Sequence, residues 1–108
     1  MIARFWTGVT RATDAESYEA YMRALAMPGY SNVAGNRAVL MLRRDLDAER
    51  TEFTMVTLWD SIQAIEAFTG PDVERAVFYD EDEHFLIERE LVARHFEVYD
   101  SQGLAAPA

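Results

Sequence analysis

The apolar and polar residues at the start of the chain are patterned like a strand. Ile2 to Thr10 contains Phe5, Trp6 and Val9, residue types that suit a pleated surface, and predicts a first strand. Thr13 and Glu16 have the spacing of a capping box, and Tyr18, Tyr21, Met22 and Leu25 then recur at i, i+3, i+4 and i+7. That period predicts an amphipathic helix, stopped at Pro28-Gly29. RAVLMLRR (Arg37 to Arg44) and TEFTMVTLW (Thr51 to Trp59) read as two strands, and the short polar link between them makes a hairpin. Asp60 with Gln63 forms a second capping pair ahead of Ile62, Ile65 and Phe68, one face of a helix that ends at Gly70-Pro71. Asp72 to Tyr79 is expected to add a short helical turn. The acids Asp80 to Glu83 precede HFLIERE as the start of another helix, with Asp80 as cap and Glu83 reaching back; a cation site is the other reading. VARHFEVYD, Val92 to Asp100, predicts the last strand, and residues 101–108 a disordered tail after a single domain of residues 1–100.

The order is β-α-β-β-α-β with extra helical turns, the split βαβ layout of a ferredoxin-like α+β fold, whose two helices cover one face of an antiparallel sheet. The other face should be polar in a monomer, but the strands are apolar on both sides. Phe53, Met55 and Trp59 share one face while Val56 and Leu58 take the other, and Val39 and Met41 oppose Leu40 and Leu42. One chain supplies helices for a single face, so the pattern predicts a homodimer that joins two bare sheet faces.

Charge and composition narrow the chemistry. The 108 residues carry a formal net charge of -9, and the arginines are scattered among acids, which argues against a nucleic-acid partner. All ten basic residues are arginine, so Schiff-base and lysine-nucleophile chemistry is excluded. The absence of cysteine removes thiolate chemistry and suits a reducing compartment, with the cytoplasm as the default. No run approaches the length of a membrane span. His84, His95 and the acids lack metal-site spacing, and there is no GxSxG, phosphate-cradling loop or dinucleotide fingerprint.

IARFW at the start, LRR at Leu42 to Arg44, the EFTMVTLWDS run and the closing HFEV resemble the dimeric α+β barrel proteins of the antibiotic biosynthesis monooxygenase superfamily. The resemblance spans roughly Ile2 to Tyr99. It implies two ferredoxin-like protomers packed sheet to sheet, each with a small cavity between sheet and helices. It further implies either cofactor-free oxidation of electron-rich polycyclic phenols by molecular oxygen or, in one branch, cleavage of haem. In that branch a WxSxxxFxxW run precedes SDVFxxAH, and the second tryptophan and the histidine act on haem. Here Trp59 and Ser61 match, but Phe68 replaces that tryptophan and Phe78 that histidine. A phenylalanine neither ligates iron nor donates a hydrogen bond, so no haem or other cofactor is expected.

His95 is the residue on which an enzymatic reading turns. An imidazole titrates near neutrality and can take a proton from a phenol, leaving the anion that gives an electron to oxygen. First and last strands are neighbours in this topology, so His95 should lie near Arg4 or Trp6. Arg4 would then hold the developing oxyanion, with Trp6 and Trp59 as walls for a planar ring. Tyr30 and Asn36, beside a loop, could bond a quinone oxygen, and Tyr79 is a further candidate. The plainer alternatives stand beside these: a buried structural histidine, a paired arginine, tryptophans as core anchors and a loop built for turn chemistry. Two functions are therefore carried forward. One is a homodimeric monooxygenase-like enzyme acting on a small planar aromatic or quinol; the other is a non-catalytic ligand-binding or structural homodimer.

Overall fold

The computed structural model describes residues 1–104, and residues 105–108 of the predicted tail lie outside the described residues. Among the described residues five strands form one antiparallel sheet: β1 (Ile2–Arg11), β2 (Asn36–Asp45), β3 (Arg50–Trp59), β4 (Leu86–Arg89) and β5 (Arg94–Glu97). The order is β2-β3-β1, and the outer edge of β1 is shared by β4 and β5. Among the described residues four short α-helices accompany the sheet, α1 (Ala15–Tyr21), α2 (Met27–Ser31), α3 (Ile62–Thr69) and α4 (Asp82–Phe85), with a 3-10 turn at Ala12–Asp14 and a π turn at Met22–Ala26. This is the expected ferredoxin-like α+β arrangement, with the closing strand beside the first.

The alternation in β3 decides which side is core. Thr51, Phe53, Met55, Thr57 and Trp59 are buried under the helices, while Glu52, Thr54, Val56 and Leu58 face the other way and are only partly covered. In register with them, Arg4 and Trp6 of β1 stand on the helix side opposite Thr57 and Met55. Leu40 and Leu42 of β2 lie on the open side, opposite Val56 and Thr54, each nearly half exposed. The two-faced sheet read from the sequence is thus present. Gly8 follows Trp6 on the helix side of β1, and a Cβ there would stand 2.6 Å from the indole, so the missing side chain is what lets Trp6 lie across the strand.

The first helical segment differs from expectation. It does not stop at Pro28-Gly29 but continues to Ser31 through a π turn at Met22–Ala26. The buried stripe is Tyr18, Met22, Ala26 and Tyr30, and Leu25, expected on the inner face, is exposed. An α-helix advances about 100° per residue, so three steps of four residues would carry Tyr30 roughly 120° off the face of Tyr18. The wider turn absorbs that excess and returns Tyr30 to the core. Pro28, which has no N–H to donate, falls just after the π turn, at the start of α2.

Other local expectations are corrected as well. Neither Thr13 with Glu16 nor Asp80 with Glu83 forms the predicted cap, since α1 and α4 begin without a side-chain cap bond. At α3 the cap is Ser61 rather than Asp60, its hydroxyl accepting from the Ala64 N–H at 3.2 Å. Asp72 to Tyr79 opens with one hydrogen-bonded turn, Arg75 N–H to the Asp72 carbonyl, but forms no helix; it then pairs with the chain before β5, with Ala76 N–H bonded to the Leu91 carbonyl and Ala93 N–H to the Glu74 carbonyl. HFLIERE is helical for one turn only and then becomes β4, because the free edge of β1 offers backbone partners there. The final strand is correspondingly shorter than Val92 to Asp100.

Candidate functional site

The site is built on the outer half of β1. Arg4 stands directly opposite His95 of β5, and paired residues project to the same side of a sheet. That side is the helix-covered one, so His95 points under the 70–82 segment rather than onto the open face. Arg4 is 2 % exposed, yet among the described residues no carboxylate lies within ion-pair distance of it. It donates from one terminal nitrogen to the Arg75 carbonyl at 3.0 Å and lies over the Phe68 ring at 5.7 Å, while its Nε has no partner. His95 is half-buried, and its Nε2 is likewise buried without a partner. Two neighbouring polar groups with unfilled hydrogen-bonding capacity inside one layer are uncommon in a native fold.

The electrostatics follow from burial. Desolvation pushes His95 below the ordinary histidine range, the Arg4 charge pushes further in the same direction, and Glu74 opposes both. Burial also lowers Arg4 from its ordinary value, against which the Tyr30 phenol acts. Tyr30 is itself pushed up to about 12, mainly by burial, with Arg4 pulling it back down. At neutral pH the arrangement is therefore a cation, a neutral imidazole and a neutral phenol.

Aromatic rings frame these groups. Phe68 of α3 lies 4.6 Å from Tyr30 and 5.8 Å from Trp59 between ring centroids. Trp59 is fully buried and donates its indole N–H to the Thr57 hydroxyl at 2.8 Å; Trp6 donates to the Glu90 carbonyl at 2.7 Å. Both tryptophans present ring surface only, their single donors being committed to the protein. Asn36 stands opposite Trp59 in the ladder but turns its amide N–H groups to the carbonyls of Ala38 and Leu58. Tyr79, half-buried, packs its hydroxyl against Gly29 of α2, where an added Cβ would come within 2.7 Å of it. The structure thus brings together Arg4, His95, Tyr30 and Trp59, sets Trp6 one step further along β1, and leaves Asn36 engaged with backbone carbonyls of β2 and β3.

Three contributors were not singled out as site residues from the sequence. Phe68 marks a helix face and the tryptophan position of the haem-cleaving pattern, Arg75 acts through its carbonyl and has no side-chain signature, and Glu74 comes near His95 only because its segment pairs with the chain before β5. Among the described residues there is no helix long and apolar enough to cross a membrane, and no group of three His, Asp or Glu side chains fit to hold a metal ion.

Comparison with known proteins places this geometry in a fold. No protein-family model matches the sequence, and no curated protein matches it. Solved structures do. A Bacillus cereus protein assigned to the antibiotic biosynthesis monooxygenases superposes with a TM-score of 0.62 at 13% identity, over 94% of this chain and 96% of the other. A Pseudomonas aeruginosa protein gives 0.63 at 18% identity over 92% and 94%. The heme-degrader MhuD of Mycobacterium tuberculosis, with two hemes bound in its active site, gives 0.61 at 20% identity over 95% and 100%. The chain shares the fold of these antibiotic biosynthesis monooxygenase-like proteins along nearly its whole length.

Proposed function

We propose that this chain, built on the antibiotic biosynthesis monooxygenase-like fold, is a small homodimeric monooxygenase-like protein that oxidises a planar, electron-rich aromatic or quinol without a cofactor. The observation that carries the reading is the Arg4 and His95 pair, one cation and one neutral base, neighbours on β1 and β5, both with a buried nitrogen left unpaired. A ligand phenol or acidic C–H placed there would lose its proton to His95 Nε2, and the resulting anion would lie against Arg4. Such an anion gives an electron to molecular oxygen, and recombination at carbon forms a hydroperoxide. Loss of water from that hydroperoxide converts a methylene to a carbonyl, so one CH₂ and one O₂ yield one C=O and one H₂O. Phe68, Trp59 and Tyr30 supply the apolar walls that hold a flat ring.

Haem does not fit these residues. Phe78, at the position of the histidine in the haem-cleaving pattern, has its ring 6.1 Å from Trp6 and beneath Arg89. His84 is exposed on α4 beside Glu81 and Glu83, and Asp80 and Glu81 line the neighbouring cleft, an acidic surround that repels propionates.

Oxygen consumption tests the proposal. Wild-type protein with anthrones and hydroxynaphthoquinols is expected to consume oxygen in proportion to substrate, and His95→Ala and Arg4→Met to reduce the rate by about 10²-fold or more. Binding of the same compounds without oxygen uptake would leave the ligand-binding dimer; equal rates in all three proteins would remove His95 and Arg4 from the chemistry.

A further inference from the structure

The acid run Asp80 to Glu83 offers a helix cap or a cation site, and α4 begins without a side-chain cap bond. Asp82 is buried, its carboxylate accepting the Tyr79 N–H at 2.6 Å. Asp80 and Glu81 are exposed, and among the described residues no arginine lies within ion-pair distance of either. Both line a cleft of about 520 Å³ whose other walls are Tyr21, Leu25, Phe78 and Tyr79; Arg4, His95, Tyr30 and Trp59 take no part in it. The Glu81 N–H donates to the Tyr21 hydroxyl at 3.2 Å, which ties the end of α1 to the segment ahead of α4. The Tyr21 ring is backed by Tyr18, stacked with centroids 6.2 Å apart, and by Phe85 at 5.4 Å. Phe78 already has Arg89 over its ring at 4.5 Å, so Tyr21 and Tyr79 are the rings left for a ligand. Leu25, which the helical period places inward, is 49 % exposed at the same cleft.

We propose that this cleft binds an organic cation of the quaternary ammonium class, its methyl groups against Leu25 and the two tyrosine rings and its charge held by Asp80 and Glu81. The face of an aromatic ring attracts a cation through its quadrupole, and a quaternary ammonium, weakly hydrated and coated in methyl groups, gives up little water to reach it. A metal ion fits poorly. Calcium takes about six to eight oxygen ligands, and two exposed carboxylates leave most of that shell to water. A neutral molecule of the same shape keeps the apolar contacts and loses the attraction of rings and acids. A primary ammonium keeps the charge and loses the methyl contacts. The site stands apart from the Arg4 and His95 pair and does not depend on the oxidation proposed there.

The test is an NMR titration of the full chain that follows the Tyr21 and Tyr79 ring signals with choline, with its neutral isostere 3,3-dimethyl-1-butanol and with ethanolamine. Choline chloride replaces sodium chloride at constant ionic strength, which cancels the general attraction of a chain of net charge -9 for cations. Choline should saturate the shifts at about tenfold lower concentration than either comparison compound. The double variant Asp80→Asn, Glu81→Gln, altered only at exposed positions, should lose that advantage, and so should Tyr79→Leu, read at Tyr21, whereas Tyr79→Phe keeps the ring and should retain it. Should Tyr79→Leu fail to fold, the charge variant decides alone. No saturable shift with choline, equal affinity for the three compounds, or an advantage that survives in the charge variant or in folded Tyr79→Leu overturns the site. The Arg4 and His95 reading, tested by oxygen uptake, is untouched by any of these results.

Discussion

His95 is useful as a base only while it is neutral, and its surroundings favour that form. Burial and the neighbouring Arg4 charge both disfavour the imidazolium, and Glu74 only partly offsets them. The consequence for stability has a definite sign. In the unfolded chain a histidine takes up its proton as pH falls through about 6.5, whereas folded His95 resists until lower pH. The unfolded state then binds more protons, so stability is retained above that range and lost as pH falls below it. His95→Asn should flatten this loss in urea unfolding measured between about pH 7.5 and 5; a slope equal to wild type would mean that His95 titrates alike in both states. Asp82 acts in the opposite sense at lower pH, since burial raises its carboxyl and the folded state takes that proton first. Arg4 bears the same mark as His95, a buried polar group kept without its natural counter-charge.

At the level of elements, much was legible because strand alternation has a period of two. Phe53, Met55 and Trp59 against Val56 and Leu58 mark both faces of β3, and the order of strands puts His95 near Arg4 or Trp6, between which the ladder selects Arg4. Alternation tells which residues share a face but not which face the helices cover, so the direction of His95 waited for the fold. The stripe from Tyr18 to Tyr30 was illegible for a different reason. Its spacing of four matches no straight α-helix, and only the π turn at Met22–Ala26 reconciles it with one buried face. β4 was hidden because its sequence, LIER, has no strong strand preference and is recruited by the vacant edge of β1 opposite Gly8 to Thr10. Asp82 reads as one acid among four, and only burial of its carboxyl under Tyr79 separates it from the rest.

For the whole molecule, the open sheet face is the feature a single chain leaves unanswered. Leu40, Leu42 and Phe96 are about half exposed on it, and Phe5 lies edge-on to Phe96 with centroids 5.5 Å apart. Helices cover only the opposite side, so a second copy of the chain is the cover that completes the proposed molecule. Sedimentation at micromolar concentration should give the mass of two chains, and Leu42→Glu the mass of one without loss of secondary structure; a wild-type mass of one chain would reject the dimer. Because Arg4 and His95 lie on the helix side, the Leu42→Glu protein should keep its ligand affinity. The central claim, that His95 belongs to an accessible ligand site, is tested most directly by following its imidazole resonances by NMR through a pH titration, assigned with His95→Ala, with and without hydroxynaphthoquinones and anthrones. A midpoint below the ordinary histidine range is expected, with a shift of the His95 signal on adding at least one of these compounds. A His95 signal that no pH and no ligand moves would contradict it and make His95 a structural residue of the sheet.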